Sequence, residues 1–464
     1  MASMKLPSQL DLTQFYCGKN IADVPKPAAV LDRAIIRRHC ERMKRTIRAL
    51  NVGFRAHVKT HKTSELSWMQ LDKTSDEANF MASTPLEIEM LVPMLKDVRG
   101  NHRVNVLYGV PLVPSHVERL AKIALELGKE SLSVLIDHPD QLPYLQEFAS
   151  ITGFPACVFV KVDTGYHRAG LPPLALNKNG LLEKLAAAEG AGNANLLGLY
   201  SHSSLSYAAT TAEKAMAYLI CEIKECEAAL NRWQYLLPKN RQLVISVGAT
   251  PQVVCSENLL QGRVSSAKAK ELMSLLTSSC STGTANKARI ELHAGVYTVL
   301  DMQQISTNAR NYAGELEDEI ALSVVAEVCS VYNDGEREKP EALVAAGTLA
   351  LGREPCGNYP GWGILSSWRG GDVTGSAAGD RLFVARISQE HAIVLWQKEA
   401  QRKIPLEIGQ AVKIFPNHAC ITAAFYSWYF IVDSETDPNA STIVDVWVRA
   451  RAPSMDPLLA TRYQ

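Results

Sequence analysis

The sequence is short of the features that would assign it at a glance. Aromatic residues make up 7% of its 464 positions, and no unbroken run of about 18 apolar residues occurs, which excludes a membrane-spanning helix. Neither sign of charge is in excess. Forty-eight lysines and arginines balance 48 aspartates and glutamates, so there is no broad electrostatic footprint for nucleic acid or an anionic membrane. The ten cysteines form no C-x-x-C pair, and the amino-terminal stretch MASMKLPSQLDLTQ has no apolar core of a secretory signal. The closing ATRYQ matches no lipidation or sorting tail. Reduced thiols in a soluble, cytoplasmic protein are the expectation. At about 100–200 residues per domain, the length suggests two or three domains.

What is present is an alternation of two textures. Strand-like runs occur at Phe54–Lys59, Asn79–Ser83, Val104–Gly109, Ser133–Asp137, Cys157–Asp163, Leu197–His202, Leu243–Gly248 and Ile290–Gly295. Helical patterns lie between them. Ile36, Cys40, Met43, Ile47 and Leu50 define one apolar stripe, and Leu219, Ile223, Cys226, Leu230 and Trp233 define another. The second follows a capping-box pattern at Thr210-Thr211-Ala212-Glu213. An open doubly wound sheet would alternate in the same way. The count of eight favours a (β/α)₈ TIM-type barrel.

The pattern shifts after residue 296. Short alternating runs at Leu322–Tyr332, Leu343–Ala346, Leu382–Ser388, Ala392–Trp396, Ala411–Phe415, Thr422–Val432 and Ile443–Val448 read as a mostly antiparallel β domain. The expected fold class is therefore α/β plus β. Residues 1–27 form an amino-terminal segment packing with the β domain, 28–296 the barrel and 297–464 the β domain. The Ser/Thr-rich stretch 255–286 is an excursion from the barrel.

Active groups of such a barrel belong at the carboxyl ends of its strands. Arg55, His57 and Lys59 would share one strand face, with Lys59 at the exit. A lysine taken out of water there is either a solvated strand end or a reactive amine. Lys161–Gly170 uses two glycines to present Arg168 near the mouth, or is a plain structural turn. Ser246–Pro251, containing Gly248 and Thr250, sits where barrels often hold phosphate, although small-residue turns are common. His418 and Cys420, at i and i+2 on an extended segment, would point the same way. They suit Zn²⁺ with positions left open, or are a buried histidine beside an inert thiol.

Together, the stretches AHVKTHKT, KVDTGYHRAG, SVGATP, LHAGVY and PNHAC resemble the fold type III pyridoxal-phosphate enzymes of the eukaryotic D-serine dehydratase group. That group is related to D-threonine aldolases and, more distantly, to alanine racemases. Pro27–Asp32, Ser83-Thr84, Gly361–Ile364 and Ser388–His391 extend the likeness over nearly the whole chain. The resemblance implies that Lys59 carries pyridoxal 5'-phosphate as a Schiff base and that Arg168 faces the cofactor's phenolic oxygen. Tyr200, His202 and Tyr207 would line the ring. Gly248 and Thr250, with Gly295 and Tyr297, would bind the phosphate, and His418 and Cys420 would hold zinc beside the substrate.

The implied reaction is loss of water from a β-hydroxy D-amino acid, with D-serine giving pyruvate and ammonia. The alternatives are retro-aldol cleavage of a D-3-hydroxy amino acid and a paralogue with a larger substrate. A non-catalytic carrier of the cofactor would lack the second β domain. The resemblance also implies a homodimer with no nucleic-acid or membrane partner. Ser204 and Leu205 stand where relatives carry glycine and a polar residue, and Val296 stands where they often carry asparagine. These departures suggest an enlarged or drier substrate pocket.

Overall fold

A computed structural model describes residues 7–450, apart from 240, 261–265, 279–287, 311, 313, 367, 369–372 and 374–379. Eight parallel strands close into a barrel: β2 (Gly53–His57), β3 (Glu77–Ala82), β4 (Arg103–Pro111), β5 (Leu132–Ile136), β6 (Ala156–Lys161), β7 (Ala194–Tyr200), β8 (Val244–Val247) and β9 (Arg289–Ala294). Each lies at an expected run. β2, however, ends at His57, so Lys59 sits in the turn beyond the strand.

The two predicted stripes form helices Arg33–Leu50 and Ala212–Trp233, which bury Ile36, Cys40, Met43, Leu219, Ile223 and Cys226 against the barrel. Burial of that apolar face, more than propensity, fixes such helices. Thr211 caps the second helix and accepts the Lys214 N–H. The cap therefore lies one residue later than the Thr210–Glu213 box, and Glu213 takes no part in it. Within 255–286, helices Glu257–Leu260 and Ala267–Ser278 occur among the described residues.

The first strand, β1 (Ala28–Asp32), does not enter the barrel, although the sequence suggested that the barrel begins at residue 28. It runs antiparallel to β10 (Leu322–Tyr332) and parallel to β16 (Trp428–Val432) in a nine-stranded sheet. The sheet also holds β11 (Glu341–Val344), β12 (Gly363–Leu365), β13 (Leu382–Ile387), β14 (Ala392–Trp396), β15 (Ala411–Pro416) and β17 (Asp445–Val448). Because β11 pairs with both β14 and β10, six strands curl back on themselves around a core of Val324, Val344, Leu382, Val394 and Ile414. Helix Gln9–Tyr16 lies on the other end of the sheet, where Leu12 joins a cluster with Phe430 and Val446.

The run expected as one strand from Thr422 to Val432 is split. Ala419–Ala424 is helical, and only Trp428–Val432 is strand. No helix among the described residues is long and apolar enough to cross a membrane.

Candidate active site at the carboxyl end of the barrel

Three histidines from different strands fill the barrel mouth, and hydrogen bonding sets the tautomer of each. His57 Nδ1 accepts the Lys59 backbone N–H at 3.2 Å, so its ring proton is on Nε2. His202 Nδ1 lies 2.7 Å from the Gly248 carbonyl, which can only accept, so Nδ1 carries the proton and Nε2 is bare. Ser246 donates its hydroxyl proton to Glu291 at 2.7 Å and is 3.2 Å from His293 Nδ1, which must therefore be the donor. His293 Nε2 is then bare, buried and without a partner among the described residues.

All three rings are held well below the usual histidine pKa, first by burial. Lys59 is the next influence on His57, His293 on His202 and Lys161 on His293. They are neutral imidazoles at pH 7. Tyr200 stacks on His293 at 4.6 Å between centroids, with the rings 9° from parallel, and His202 follows at 5.6 Å from His293.

Glycine is required at two points here. A Cβ at Gly248, where φ is +137°, would lie 2.7 Å from the His293 carbonyl oxygen. One at Gly295 would lie 2.9 Å from the His57 carbonyl oxygen. These close approaches bring β8, β9 and the β2 turn together. Thr250 is buried at the start of the helix Thr250–Val254.

Lysines and an arginine supply the charge. Lys59 and Arg168 have no carboxylate within ion-pair distance among the described residues, and the Arg168 guanidinium lies over the Tyr166 ring. Lys161 is buried at the end of β6 with its ammonium 4.7 Å from the Tyr200 ring centroid. Burial and then the Arg168 charge lower its pKa to about 8. A half-buried amine and a free guanidinium around one mouth fit an anionic, carbonyl-bearing cofactor.

The β domain closes over this mouth. His418 has extended backbone and caps the helix Ala419–Ala424, which puts Cys420 in a helical turn instead of on the extended segment expected. His418 still acts on Cys420, drawing the thiol below its usual pKa although burial alone would raise it. Cys420 Sγ lies 3.1 Å from Thr60 Oγ1, the residue after Lys59. Asp301 fixes the start of this helix by accepting the Ala419 N–H at 2.7 Å. Tyr207 sits on the turn Ser204–Ala208 between the two parts, where Cys420, Asp301 and Arg168 all act on its buried hydroxyl.

The pair's own atoms suit a metal. His418 Nδ1 is buried without a partner, and an imidazole with an acidified thiol is a donor set suited to Zn²⁺. No third histidine, cysteine or carboxylate joins them among the described residues. A metal held there would keep positions for water or substrate.

Of the residues expected at the site, Tyr297 is the exception. Its ring packs edge-on to Phe54 at 5.8 Å, and Cys40 and Gln70 are among the groups that act on its buried hydroxyl. Its side chain therefore lies outside the barrel, in the layer beneath the helix Arg33–Leu50. Val296 is buried in the main core, whereas Leu205 is 39% exposed at the mouth. The sequence alone assigns no role to His293, Lys161 or Thr60. Period-two spacing back from Gly295 would have pointed to His293 as inward-facing.

Residues 31–257 match the family model "Alanine racemase, N-terminal domain", and residues 321–432 match "Putative serine dehydratase domain". The D-serine dehydratase of Schizosaccharomyces pombe is 33% identical, with 94% of each chain covered. That of Saccharomyces cerevisiae is 29% identical, over 94% of this chain and 98% of the yeast protein. The solved D-threo-3-hydroxyaspartate dehydratase of Delftia sp. HT23 superposes with a TM-score of 0.70 at 23% identity, covering 93% of this chain and 99% of its own. On that extent of likeness to the fission-yeast enzyme, the chain belongs to the D-serine dehydratase family.

Proposed function

We propose that the protein is a pyridoxal-phosphate- and zinc-dependent lyase that removes water from a β-hydroxy D-amino acid, D-serine being the first substrate to try. The observation that supports this reading is the contact between Thr60 and Cys420, which brings the turn that carries Lys59 against Cys420 within one chain. The relatives support it: both yeast proteins are D-serine dehydratases, and a cysteine-to-alanine mutant of a D-threo-3-hydroxyaspartate dehydratase has been solved in a metal-free form.

Bound pyridoxal phosphate supplies an electron sink for charge released at Cα, and zinc supplies a Lewis acid for the departing hydroxyl. The chain's own groups do the rest. Lys59 would carry the cofactor and, once its amine is free, take the α-proton. Arg168 would meet the cofactor's phenolic oxygen, while Tyr200, His202 and Tyr207 line its ring. Gly248, Thr250 and the Gly295 backbone would hold the phosphate. His418 and Cys420 would hold zinc, and the neutral imidazoles add no further positive charge to the mouth.

Purified enzyme loaded with both groups is assayed on D-serine, D-threonine and their L forms, with keto acid and aldehyde followed together. Keto acid and ammonia from the D forms alone are expected. Glycine with aldehyde would move the protein to aldol cleavage. His418→Ala with unchanged zinc content and turnover would remove the metal from the reading.

A homodimer in the cytoplasm belongs to the same proposal. Its support is that Tyr166 and Leu205 are exposed at the mouth and that the nine cysteines among the described residues are free thiols. A fully active monomer in sedimentation at micromolar concentration would sink the dimer.

A further inference from the structure

Thr60 is buried at 1% exposure, on the turn that carries Lys59, and its hydroxyl lies 3.1 Å from a sulfur 360 residues away. This contact joins the two parts of the molecule beside the expected chemistry. The turn is firmly held. The Tyr429 hydroxyl donates to the His61 carbonyl at 3.2 Å, and Arg449 Nε donates to the same carbonyl at 3.3 Å. His61 is itself bonded on both ring nitrogens, to Thr63 and Gln70.

On free Cys420, either atom of the Thr60–Cys420 pair could donate. A thiolate bound to a metal has no proton, so in that state the hydroxyl must be the donor.

We infer that Thr60 is a positioning residue for the metal: its hydroxyl would donate to the Cys420 thiolate and orient it. This rests on the reading of His418 and Cys420 as zinc ligands. Its physical content is separate. A hydrogen bond to sulfur withdraws electron density from the thiolate, so less charge reaches the metal, which remains the stronger Lewis acid. Loss of such an outer partner typically lowers metal affinity or activity about 10–100-fold.

The test substitutes Co²⁺ for zinc in the full-length enzyme and reads the sulfur-to-cobalt charge-transfer band, which does not depend on turnover. Wild-type protein should show the band. Thr60→Val should move it to lower energy, because a thiolate without its donor gives up charge more readily, and should lower turnover at least about 10-fold. Thr60→Ser should restore both. If Thr60→Val does not fold, Thr60→Ala set against Thr60→Ser asks the same question.

A wild-type protein without the band would overturn the metal reading itself. A wild-type band that is unchanged in Thr60→Val or Thr60→Ala would overturn the role of Thr60 and leave the ligands standing. A band that moves equally in Thr60→Ser and Thr60→Ala would show that the hydroxyl is not responsible.

Discussion

The two ends of the barrel are built from similar residue types under opposite rules. Toward the amino end, Arg55 binds Glu291 through Nε at 2.7 Å and Nη2 at 3.2 Å, and its Nη1 reaches the Phe80 carbonyl and the Asn105 side chain. Asn79 donates to the same glutamate, and Ser133 donates to Asn105. Arg289 binds Glu77 through two nitrogens. Toward the carboxyl end, Lys59 and Arg168 have no carboxylate partner, and buried nitrogens of His293 and His418 have none at all among the described residues. A closed polar network ties the amino-end strands together, whereas at the carboxyl end charged and buried polar groups are left for a ligand to meet. Glu291 joins the two ends, taking Arg55 from one side and Ser246 from the other.

The sharpest way to break the open end is Lys59→Ala. Turnover should fall by about 10²–10⁴-fold, as expected for loss of a positioned base, and more if attachment matters as well. Borohydride should no longer fix pyridoxal phosphate to the protein. A variant that still formed a reducible adduct would refute the assignment.

Next in size is an attack on the closed end. Arg55→Leu leaves Glu291 buried without its cation, which should cost about 3–5 kcal/mol in urea unfolding. The folded fraction should still load cofactor on Lys59. A loss below about 1 kcal/mol would mean that the closed network is not what secures this end.

The smallest effect is expected at the rim. Leu205→Asn should leave stability within about 0.5 kcal/mol, since the side chain is exposed. It should shift the preference between D-serine and bulkier D-amino acids by less than about 10-fold. An unchanged preference would remove Leu205 from the substrate path.

The eight barrel strands were legible because each is a short apolar run between helix patterns, and β10 and β14 lie where alternation placed them. Other elements were not. β1 reads as a barrel entry, but its pairing with β10 and β16 is made by residues about 290 and 400 positions away. β12 has three residues and is a strand only because β13 and β15 flank it. The helix Ala419–Ala424 was hidden inside an apolar run whose period cannot separate a short helix from a strand.

For the site, the sequence by itself determined the chemistry on offer: a lysine after the first barrel strand, glycine turns after the late ones and a histidine–cysteine pair far downstream. The tertiary structure decided which of these groups meet. It brought Cys420 to Thr60 and turned Tyr297 away into the helix layer. It also left His293 Nε2 bare by spending the Ser246 proton on Glu291. Covalent order sets which groups a chain owns. Hydrogen-bond partners and burial, which set tautomer and charge, come from strands that only the closed barrel makes neighbours.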